Sequence, residues 1–229
     1  MSEAPVRFSR SKLDLFTECP RCFWLDVKMG VKRPQPYPYT LSAAVDQLLK
    51  AEFDQFRRKG EAHPLMKEYG VNAKLFADQD QLSIWRNNFK GISYMHPGLG
   101  ITLYGAVDDI FEFPEGKLAV VDYKSTGSRE ITIYPSYQLQ MDIYTWLLEK
   151  NGYPTVRKAY FVFYQVDKTN GFEGRLPFRG VIKDIETNPD SVEKILSDAA
   201  GILESKGMPP ANPGCQYCLW QRSVAGVAG

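Results

Sequence analysis

Two aspartates and a lysine stand where their chemistry could be used together. In KLAVVDYKS the residues before Asp122 are apolar, and Lys124 follows two positions later, so both side chains are expected on one face of a strand. The other face is apolar as well, which predicts a central strand. A carboxylate and an ammonium that emerge from such a strand must be paired, hydrated or bound to a metal.

Asp108 lies in GITLYGAVDDIFEF, which we predict as the first strand of a hairpin with PEG as its turn. The hairpin would bring Asp108 beside Asp122, and neighbouring carboxylates repel each other unless a divalent cation lies between them. A lysine there could stabilise the charge of a pentavalent phosphate or position a water, as in a metal-assisted hydrolase. The alternative is a plain Asp–Lys pair at a strand end.

The segment PSYQLQMDIYTWLLEKNG predicts a helix after the hairpin. Tyr137, Gln140 and Tyr144 recur at i, i+3 and i+7, so they share one face of this helix. A polar line of this kind could contact a phosphate backbone, although it is also common in amphipathic helices. An apolar stripe lies beside it: Leu139, Ile143 and Leu147.

The cysteines form two Cys-x-x-Cys pairs at opposite ends of the chain, CPRC with Cys19 and Cys22, and CQYC with Cys215 and Cys218. In a reducing compartment such pairs indicate a metal site. Four thiolates suit zinc or an iron–sulfur cluster. The site would join the N-terminal and C-terminal segments.

The composition indicates an ordinary folded protein. Of the 229 residues 44% are hydrophobic and 24% are charged, and the formal net charge is +1, so a nucleic-acid site must be a local patch. The N-terminal stretch lacks the apolar region of a signal peptide, and no run approaches the length of a membrane span. We therefore expect a cytoplasmic protein without a membrane association. No nucleotide-binding G-x-x-x-x-G-K-[ST] loop is present.

The remaining patterns predict helices and strands around the hairpin. A helix from Ser9 or Ser11 should break or restart at Pro20, and a proline-rich connector should follow. Further helices are predicted over 40–60, with Thr40 or Ser42 as the N-cap, and over 72–90. VRKAYFVFYQV predicts a strand, and the last helix should begin at Asn188 and Pro189. The apolar stripe of the helix over 40–60 should consist of Val45, Leu48, Leu49 and Phe53.

The order Gly-x-x-Asp, Asp-x-Lys, and then a helix with Gln140 and Tyr144 resembles the PD-(D/E)XK nuclease superfamily. It is most similar to the RecB-like branch, which includes the RecB and AddB nuclease domains and the CRISPR-associated adaptation nucleases. The opening FSRSKLDLFTECPRCFWL is similar to the start of the AddB and CRISPR adaptation proteins. The resemblance covers residues 8–24, 41–50, 104–146 and 212–220.

This resemblance implies a restriction-endonuclease-like α/β fold, a mixed β-sheet flanked by helices, with a Cys-coordinated metal centre joining the two chain ends. A single nuclease domain over 1–229 is expected, with an N-terminal cysteine segment 1–39, a core 40–206 and a C-terminal cysteine segment 207–229. Implied roles are Mg²⁺ or Mn²⁺ ligation by Asp108, Asp122 and the Tyr123 carbonyl. The implied catalytic residues are Lys124, Gln140 and Tyr144, together with both aspartates.

The chain departs from the pattern of the RecB-like branch at two places. Where those proteins often carry a metal-binding histidine, LSAAVDQLLK has Asp46, which is either an oxygen ligand or a solvated helix residue. His63 and His96 receive no role. The cysteines are split two and two, whereas the resemblance implies one and three. A [4Fe-4S] cluster is favoured by the resemblance, and Zn²⁺ is the alternative.

The resemblance implies a metal-dependent DNA nuclease, an exonuclease or end-processing enzyme, in DNA repair and recombination or in CRISPR adaptation. Single-stranded DNA or DNA with free ends is the expected substrate, and a helicase or a CRISPR integrase is a candidate partner. Alternatives are a non-catalytic nucleic-acid- or partner-binding protein that keeps the fold, and an iron–sulfur redox sensor. Candidate DNA contacts are local cations and two aromatic residues: Arg21, Lys28, Lys32, Arg33, Arg129, Tyr37 and Tyr39.

Overall fold

The computed structural model describes residues 6–35, 37–169 and 171–227. The backbone divides into two compact units. The smaller unit takes in the described parts of Met1–Tyr37, Met95–Tyr104 and Asp190–Gly229, and the larger one Pro38–Tyr94 and Gly105–Pro189. The α/β class is confirmed, because helices flank two β-sheets.

Strands and helices alternate along most of the chain. The strands are β1 (Val6–Ser9), β2 (Lys74–Leu75), β3 (Ile92–His96), β4 (Ile101–Gly105), β5 (Asp109–Glu112), β6 (Leu118–Thr126), β7 (Thr155–Val166) and β8 (Phe178–Glu186). The helices are α1 (Arg10–Glu18), α2 (Pro20–Met29), α3 (Thr40–Lys59), α4 (Pro64–Glu68), α5 (Gln79–Trp85), α6 (Pro135–Lys150), α7 (Asp190–Glu204) and α8 (Gln216–Val227).

The five-stranded sheet of the larger unit has the order β2-β5-β6-β7-β8. The antiparallel hairpin of β5 and β6 turns through a short 3₁₀ segment, Pro114–Gly116, and β6 then runs parallel to β7 after the α6 crossover. β6 is the middle strand, as its apolar character on both faces predicts. The sheet is therefore mixed, and the strand that carries Asp122 lies at its centre.

The two faces of β6 serve different purposes. Ala119, Val121 and Tyr123 pack in a buried cluster that includes Leu49 and Phe53 of α3. Burial of a side chain the size of Phe53 contributes about 2–3 kcal/mol, so this face fixes α3 on the sheet. The opposite face carries Asp122 and Lys124, which meet side chains of α6, as the sequence alternation predicts.

The predicted strand over 100–113 is wrong as a single element. β4 pairs in a three-stranded sheet of order β1-β4-β3, whereas β5 pairs with β6 in the five-stranded sheet. Residues 106–108 lie between the two strands. Close backbone contact accompanies this break: a Cβ placed on Gly91, which has φ +58°, would lie 2.3 Å from the carbonyl oxygen of Gly105. Because Asp108 precedes β5, its carboxylate is not part of the regular alternation of that strand.

Two predicted helices differ from the structure in detail. The region predicted as a helix over 72–90 contains β2 and then the short helix α5, whose N-cap Asp78 accepts a hydrogen bond from the Gln81 amide at 2.9 Å. α3 begins with Tyr39 at its N-cap, so neither Thr40 nor Ser42 caps it. Leu48 is 70% exposed and lies outside the apolar stripe, because the contacts with the sheet repeat every four residues.

Several elements had no counterpart in the sequence analysis: β1, β3, β8, α4 and α8. The helix predicted to be the last is α7, which begins at Asp190 directly after Pro189, and α8 follows it. At the C-terminal end of α7, Lys28 Nζ donates hydrogen bonds to the carbonyls of Leu203 and Ser205 at 2.6 and 2.7 Å. These bonds satisfy carbonyls at the C-terminal end of α7.

Within the described ranges no helix combines the length and the apolar character needed to cross a bilayer.

Candidate active site and four-cysteine cluster

Asp122 is almost fully buried on β6 and has a defined partner on each oxygen. Oδ1 accepts a hydrogen bond from Gln140 Nε2 at 2.6 Å. Oδ2 forms an ion pair with Lys124 Nζ, whose ammonium also lies 4.9 Å from the centre of the Tyr137 ring. The structure therefore brings together the strand pair Asp122 and Lys124 with Tyr137 and Gln140 of α6.

Asp108 joins this cluster from the segment before β5. Its Oδ2 accepts a hydrogen bond from the Tyr123 amide at 3.0 Å, so it lies against β6 between Asp122 and Lys124. Its Oδ1 pairs with Lys50 Nζ at 2.7 Å, and the same ammonium pairs with Asp46 Oδ2 at 2.8 Å. Asp46, Asp108 and Asp122 thus lie in one connected group of charges.

The charges and burial of the cluster shift two pKa values. Burial raises the pKa of Asp122 to about 6, and the neighbouring Asp108 carboxylate adds to the shift, while Lys124 and Gln140 oppose it. Burial opposes protonation of Lys50, but the carboxylates of Asp108 and Asp46 outweigh it, so the pKa of Lys50 is raised. Burial and like charge thus make Asp122 a weaker acid than usual, and the two carboxylates hold Lys50 in its charged form.

The aspartates of the cluster have the donor chemistry of a divalent-cation site, but in this structure they are not gathered closely enough to hold an ion: among the described residues the only such group of three or more candidate ligands is the four cysteines. Carboxylate oxygens are the ligands that Mg²⁺ prefers, and here they belong to three aspartates. Among the described residues, Oδ2 of Asp122 accepts no well-directed hydrogen bond and faces the Lys124 ammonium. Asp108, Asp122 and Asp46 would have to come closer together to hold such a cation. Tyr144 is buried on α6, one turn after Gln140.

Lys50 and a buried ion-pair network behind the site were not predicted from the sequence. Asp109 is fully buried and accepts two hydrogen bonds from Arg57 Nη2, both at 2.6 Å, and one from Arg86 Nη2 at 3.1 Å. The Tyr123 hydroxyl donates to the same carboxylate at 2.5 Å. An isolated buried carboxylate would be very costly, so two guanidinium groups are needed to compensate it. The doubled aspartate, with adjacent residues expected on opposite sides, is the signal that could have revealed it.

This network also holds the backbone of the site. Arg86 Nε donates to the carbonyl oxygen of Asp108 at 2.6 Å, and Arg86 Nη1 pairs with Asp54 at 2.8 Å. Tyr123, which lies between Asp122 and Lys124 in sequence, is tied to Asp109 by its hydroxyl. The segment that carries Asp108 and the strand that carries Asp122 are therefore fixed from the opposite face of the sheet.

The raised pKa of Asp122 gives a prediction for the stability of the metal-free protein. The native state keeps a proton up to a pKa of about 6, whereas the unfolded chain releases it near 3.8, so stability contributed by this group falls as pH rises from about 4 to about 6. The loss reaches about 3 kcal/mol above that range. Asp122→Asn should remove it.

Urea unfolding in EDTA between pH 4.5 and 7.5 measures this effect. The free energy of unfolding of the parent should fall relative to that of Asp122→Asn as the pH rises. A difference between the two proteins that stays constant over this range would contradict the pKa assignment.

His63 and His96 take part in local packing and pairing. His63 accepts a hydrogen bond from the Leu65 amide at the N-cap of α4, and its ring stacks on Phe53 at 4.0 Å. His96 Nε2 lies 3.0 Å from the Glu193 carboxylate.

The four cysteines of the smaller unit come together, as predicted. Their Sγ atoms all lie within 4.8 Å of one another, with pairs at 3.6, 3.7 and 3.9 Å, and all four residues are buried. No disulfide links them. The cluster joins the N-terminal and C-terminal segments, and four thiolates at this spacing fit a metal centre.

Local structure presents the sulfur atoms to one point. Cys19 is the N-cap of α2 and Cys22 lies in its first turn, while Cys215 and Cys218 stand in the same relation at the start of α8. Burial would raise the pKa of the Cys19 thiol, but hydrogen bonds from the Cys22 and Asn212 backbone outweigh it and lower the pKa to about 7. Thiolates at helix starts are stabilised by the backbone amides there.

A cavity of about 380 Å³ opens beside the cysteine cluster. Its walls include Leu25, Met208 and Trp220, and Trp220 is 66% exposed. Basic groups line it as well, and Arg33 lies 4.4 Å over the Tyr217 ring. The other predicted DNA contacts, Tyr37, Tyr39 and Arg129, are exposed, whereas Lys28 is engaged at the end of α7.

The central strand of the mixed sheet carries Asp122 and Lys124, Asp108 lies beside them before β5, and Gln140 lies on the next helix. Residues 38–223 match the family model of the PD-(D/E)XK nuclease superfamily. The chain belongs to this superfamily. The match covers β2, β5 to β8 and the helices that flank them, and it includes Asp46, both aspartates and Lys124.

Solved structures with a related chain trace share little sequence with this protein. The structure of SSO0001 is 14% identical, with 97% of this chain and 87% of that chain covered and a TM-score of 0.46. LHK-Exo in complex with dAMP is 12% identical, with 98% and 96% covered and a TM-score of 0.46. The alkaline exonuclease LHK-Exo from Laribacter hongkongensis is 10% identical, with 98% and 96% covered and a TM-score of 0.43. No curated protein sequence matches the chain.

Proposed function

We propose that this protein is a Mg²⁺- or Mn²⁺-dependent DNA nuclease that acts on ends, as an exonuclease or end-processing enzyme. The observation that carries the proposal is the cluster on β6, where Asp108 and Asp122 lie close to Lys124 and Gln140. Membership of the nuclease superfamily supports it. The order of the motifs further supports the RecB- and AddB-like branch, including the CRISPR-associated adaptation nucleases.

The residues of the cluster divide the work of phosphodiester hydrolysis. Asp108, Asp122, Asp46 and the Tyr123 carbonyl are proposed to hold the cation. When bound, a divalent cation acts as a Lewis acid on the phosphate and lowers the pKa of a water. Lys124 places its ammonium beside Asp122, where it can orient the attacking water and stabilise the negative charge that develops on the phosphate.

The α6 residues keep the site in position. Gln140 donates to Asp122 Oδ1, which leaves Oδ2 turned toward Lys124, where it would be available to a cation. Tyr144, buried one turn further along α6, is proposed to support the same surface. The arrangement disfavours the alternative of a non-catalytic binding protein, because a fold kept for binding has no need of three carboxylates around a lysine pair.

Linear and circular DNA separate the modes of action. Radiolabelled linear single-stranded and double-stranded DNA, each labelled at one end, and the corresponding circles should be incubated with Mg²⁺, with Mn²⁺ and with EDTA. We expect metal-dependent loss of label from the linear molecules and intact circles. Cleavage of the circles at the same rate would show that the protein is an endonuclease. No cleavage of any substrate would favour the alternative of a non-catalytic DNA-binding protein.

The surface beside the cysteine cluster is the proposed contact for single-stranded DNA. Arg21, Lys32 and Arg33 line the cavity there, and Arg33 also pairs with Glu18 at 2.7 Å. The exposed indole of Trp220 offers a face on which an unpaired base can stack, next to cations for the phosphates. Charge and aromatic surface therefore occur together at this place.

Trp220→Ala should weaken the binding of single-stranded DNA by about 5- to 100-fold, since stacking of a base contributes about 1–3 kcal/mol. Fluorescence anisotropy with a labelled oligonucleotide in EDTA measures binding without cleavage. Phe172→Ala removes an aromatic side chain of similar exposure from the larger unit and should leave the affinity unchanged. Equal affinities of the parent and Trp220→Ala would remove this surface from the proposal.

The sulfur spacing bears on the identity of the cysteine-bound metal. At a Zn–S distance of about 2.3 Å, the edges of a regular tetrahedron are about 3.8 Å. Three of the six sulfur pairs are 3.6–3.9 Å apart and all lie within 4.8 Å, which is close to the spacing around one ion, whereas a [4Fe-4S] cluster must hold the same thiolates further apart. The spacing therefore supports Zn²⁺, while the resemblance implies a [4Fe-4S] cluster.

The wider setting follows from the resemblance. DNA repair, recombination and CRISPR adaptation are the proposed pathways, with a helicase or a CRISPR integrase as partner. A single nuclease domain over 1–229 and a cytoplasmic location remain predictions from the sequence.

A further inference from the structure

Lys50 occupies a place that its position on α3 alone does not explain. Its ammonium lies 2.8 Å from Asp46 Oδ2, one turn earlier on the same helix, and 2.7 Å from Asp108 Oδ1, a residue 58 positions later in the chain. An ordinary i, i+4 ion pair involves only two residues on the surface of one helix. Here the ammonium bridges two carboxylates that belong to the proposed metal site.

We propose that Lys50 is an internal counter-cation of the metal site, which neutralises Asp46 and Asp108 in the metal-free protein and is displaced when a divalent cation binds. The inference rests on the proposed function of this site and adds a competition between a side chain and the metal. Lys50 therefore sets the metal concentration at which the site fills.

The formal charges of the cluster support an exchange. The carboxylates of Asp46, Asp108 and Asp122 stand against the ammonium groups of Lys50 and Lys124, which leaves one negative charge when all are ionised. A divalent cation added to this group would leave one positive charge. If the same cation replaces Lys50 instead, the cluster is neutral, and like charges are not forced together.

The surroundings of Lys50 allow it to leave. Its side chain is 24% exposed and its partner Asp46 is 31% exposed, so a flexible four-carbon side chain can turn its ammonium into water. Arg57, which compensates Asp109 behind the site, is 2% exposed and is held by several hydrogen bonds. The two cations that meet adjacent aspartates therefore differ: Arg57 is fixed, and Lys50 is exchangeable.

A purely structural salt bridge makes a different prediction from a displaceable counter-cation. If Lys50 only held Asp46 and Asp108 in place, its removal would disorder the ligands and weaken metal binding, as would removal of Asp46. If Lys50 competes with the metal, the two removals act in opposite directions. Loss of Lys50 frees a ligand pair, whereas loss of Asp46 removes a ligand.

Binding of Mn²⁺ without DNA tests the competition and needs no catalytic activity. Electron paramagnetic resonance of free Mn²⁺ gives the dissociation constant at the proposed site for the parent and each variant. Lys50→Met should tighten binding by about five- to tenfold, the scale of one partly exposed charge interaction, and Asp46→Asn should weaken it. Lys158→Met removes an exposed lysine paired with Asp184 and Glu186 and should leave binding unchanged.

Thermal unfolding gives a second readout on the same proteins. In EDTA, Lys50→Met should unfold at a lower temperature than the parent, because the carboxylates lose their counter-cation. Saturating Mn²⁺ should raise its unfolding temperature more than that of the parent. Lys50→Gln, which keeps a polar side chain at this position, should shift the dissociation constant in the same direction as Lys50→Met.

Unchanged or weaker Mn²⁺ binding by both Lys50 variants would overturn the inference. A parent that binds no Mn²⁺ would overturn it as well. If the parent binds Mn²⁺ with the expected effect of Lys50→Met but cuts no DNA, the proposed nuclease function fails while the counter-cation role stands. The two proposals are therefore separated by the same set of proteins.

Discussion

Asp122→Ala and Lys124→Ala each reduce DNA cleavage by about 10²–10³-fold or more, the scale expected for loss of a group that stabilises charge in the transition state. Asp122 is the most deeply buried aspartate of the cluster, and Lys124 is its ion-pair partner on the central strand. Removal of either leaves the other without its partner and removes a metal ligand or the proposed catalytic ammonium. Single-turnover cleavage of end-labelled DNA at saturating Mg²⁺ measures the effect.

The controls for these variants come from an exposed pair in the same sheet. Asp184 and Lys158 form an ion pair 3.1 Å long on neighbouring strands, so Asp184→Ala and Lys158→Ala repeat the same chemical changes away from the site. Both should cleave at the rate of the parent. Circular dichroism should show that all four variants are folded. Parental cleavage rates in both Asp122→Ala and Lys124→Ala would refute the assignment of the active site.

The second large effect is expected in stability. Cys218→Ser should lower the unfolding temperature by roughly 10 °C, because metal binding that joins distant segments contributes directly to folding. Cys218 lies on α8 with its sulfur 3.6 Å from Cys22 and 3.9 Å from Cys19, so its loss opens the connection between the chain ends. Differential scanning calorimetry on protein purified without chelators measures the change.

Ser223→Ala is the matched control for this variant. Ser223 lies on the same helix, and its hydroxyl donates to the Leu219 carbonyl, so its loss should move the unfolding temperature little. At a low temperature, where Cys218→Ser is still folded, its rate of DNA cleavage should stay close to that of the parent. A parental unfolding temperature for Cys218→Ser would show that the four cysteines do not contribute a metal centre to the fold.

Metal analysis of the parent distinguishes the two forms of the centre. A colourless protein with one zinc per chain would agree with the sulfur separations near 3.8 Å. A brown protein with iron and acid-labile sulfide, purified anaerobically, would agree with the resemblance and require the thiolates to move apart. Stoichiometric amounts of neither metal would contradict both.

The proximity of Asp122, Lys124 and Gln140 could be predicted because its signal is local. Alternation along β6 places Asp122 and Lys124 on one face, and helical spacing places Gln140 opposite them, so short-range geometry suffices. The role of Lys50 was not visible in the same way. As a lysine after two leucines on an amphipathic helix it has the pattern of a solvated residue, and only the fold brings Asp108 to it.

Elements with a hydrophobic period sustained over many residues were predicted correctly. Short elements were not predicted. α6 and β7 have clear periods, whereas β1, β2 and α4 have two to five residues and depend on tertiary pairing. The strand predicted over 100–113 failed for a related reason. Its apolar pattern is continuous, but it gives no sign that the chain leaves one sheet after Gly105.

A cleavage assay with and without metal tests whether the Asp108–Asp122–Lys124 cluster is a metal-dependent nuclease site. End-labelled single-stranded DNA is incubated with the parent and with Asp122→Ala, first in EDTA and then after addition of excess Mg²⁺. If the cluster is a metal-dependent nuclease site, only the parent releases label, and only after Mg²⁺ is added. Release of label by the parent in EDTA, or equal release by Asp122→Ala in Mg²⁺, would contradict it.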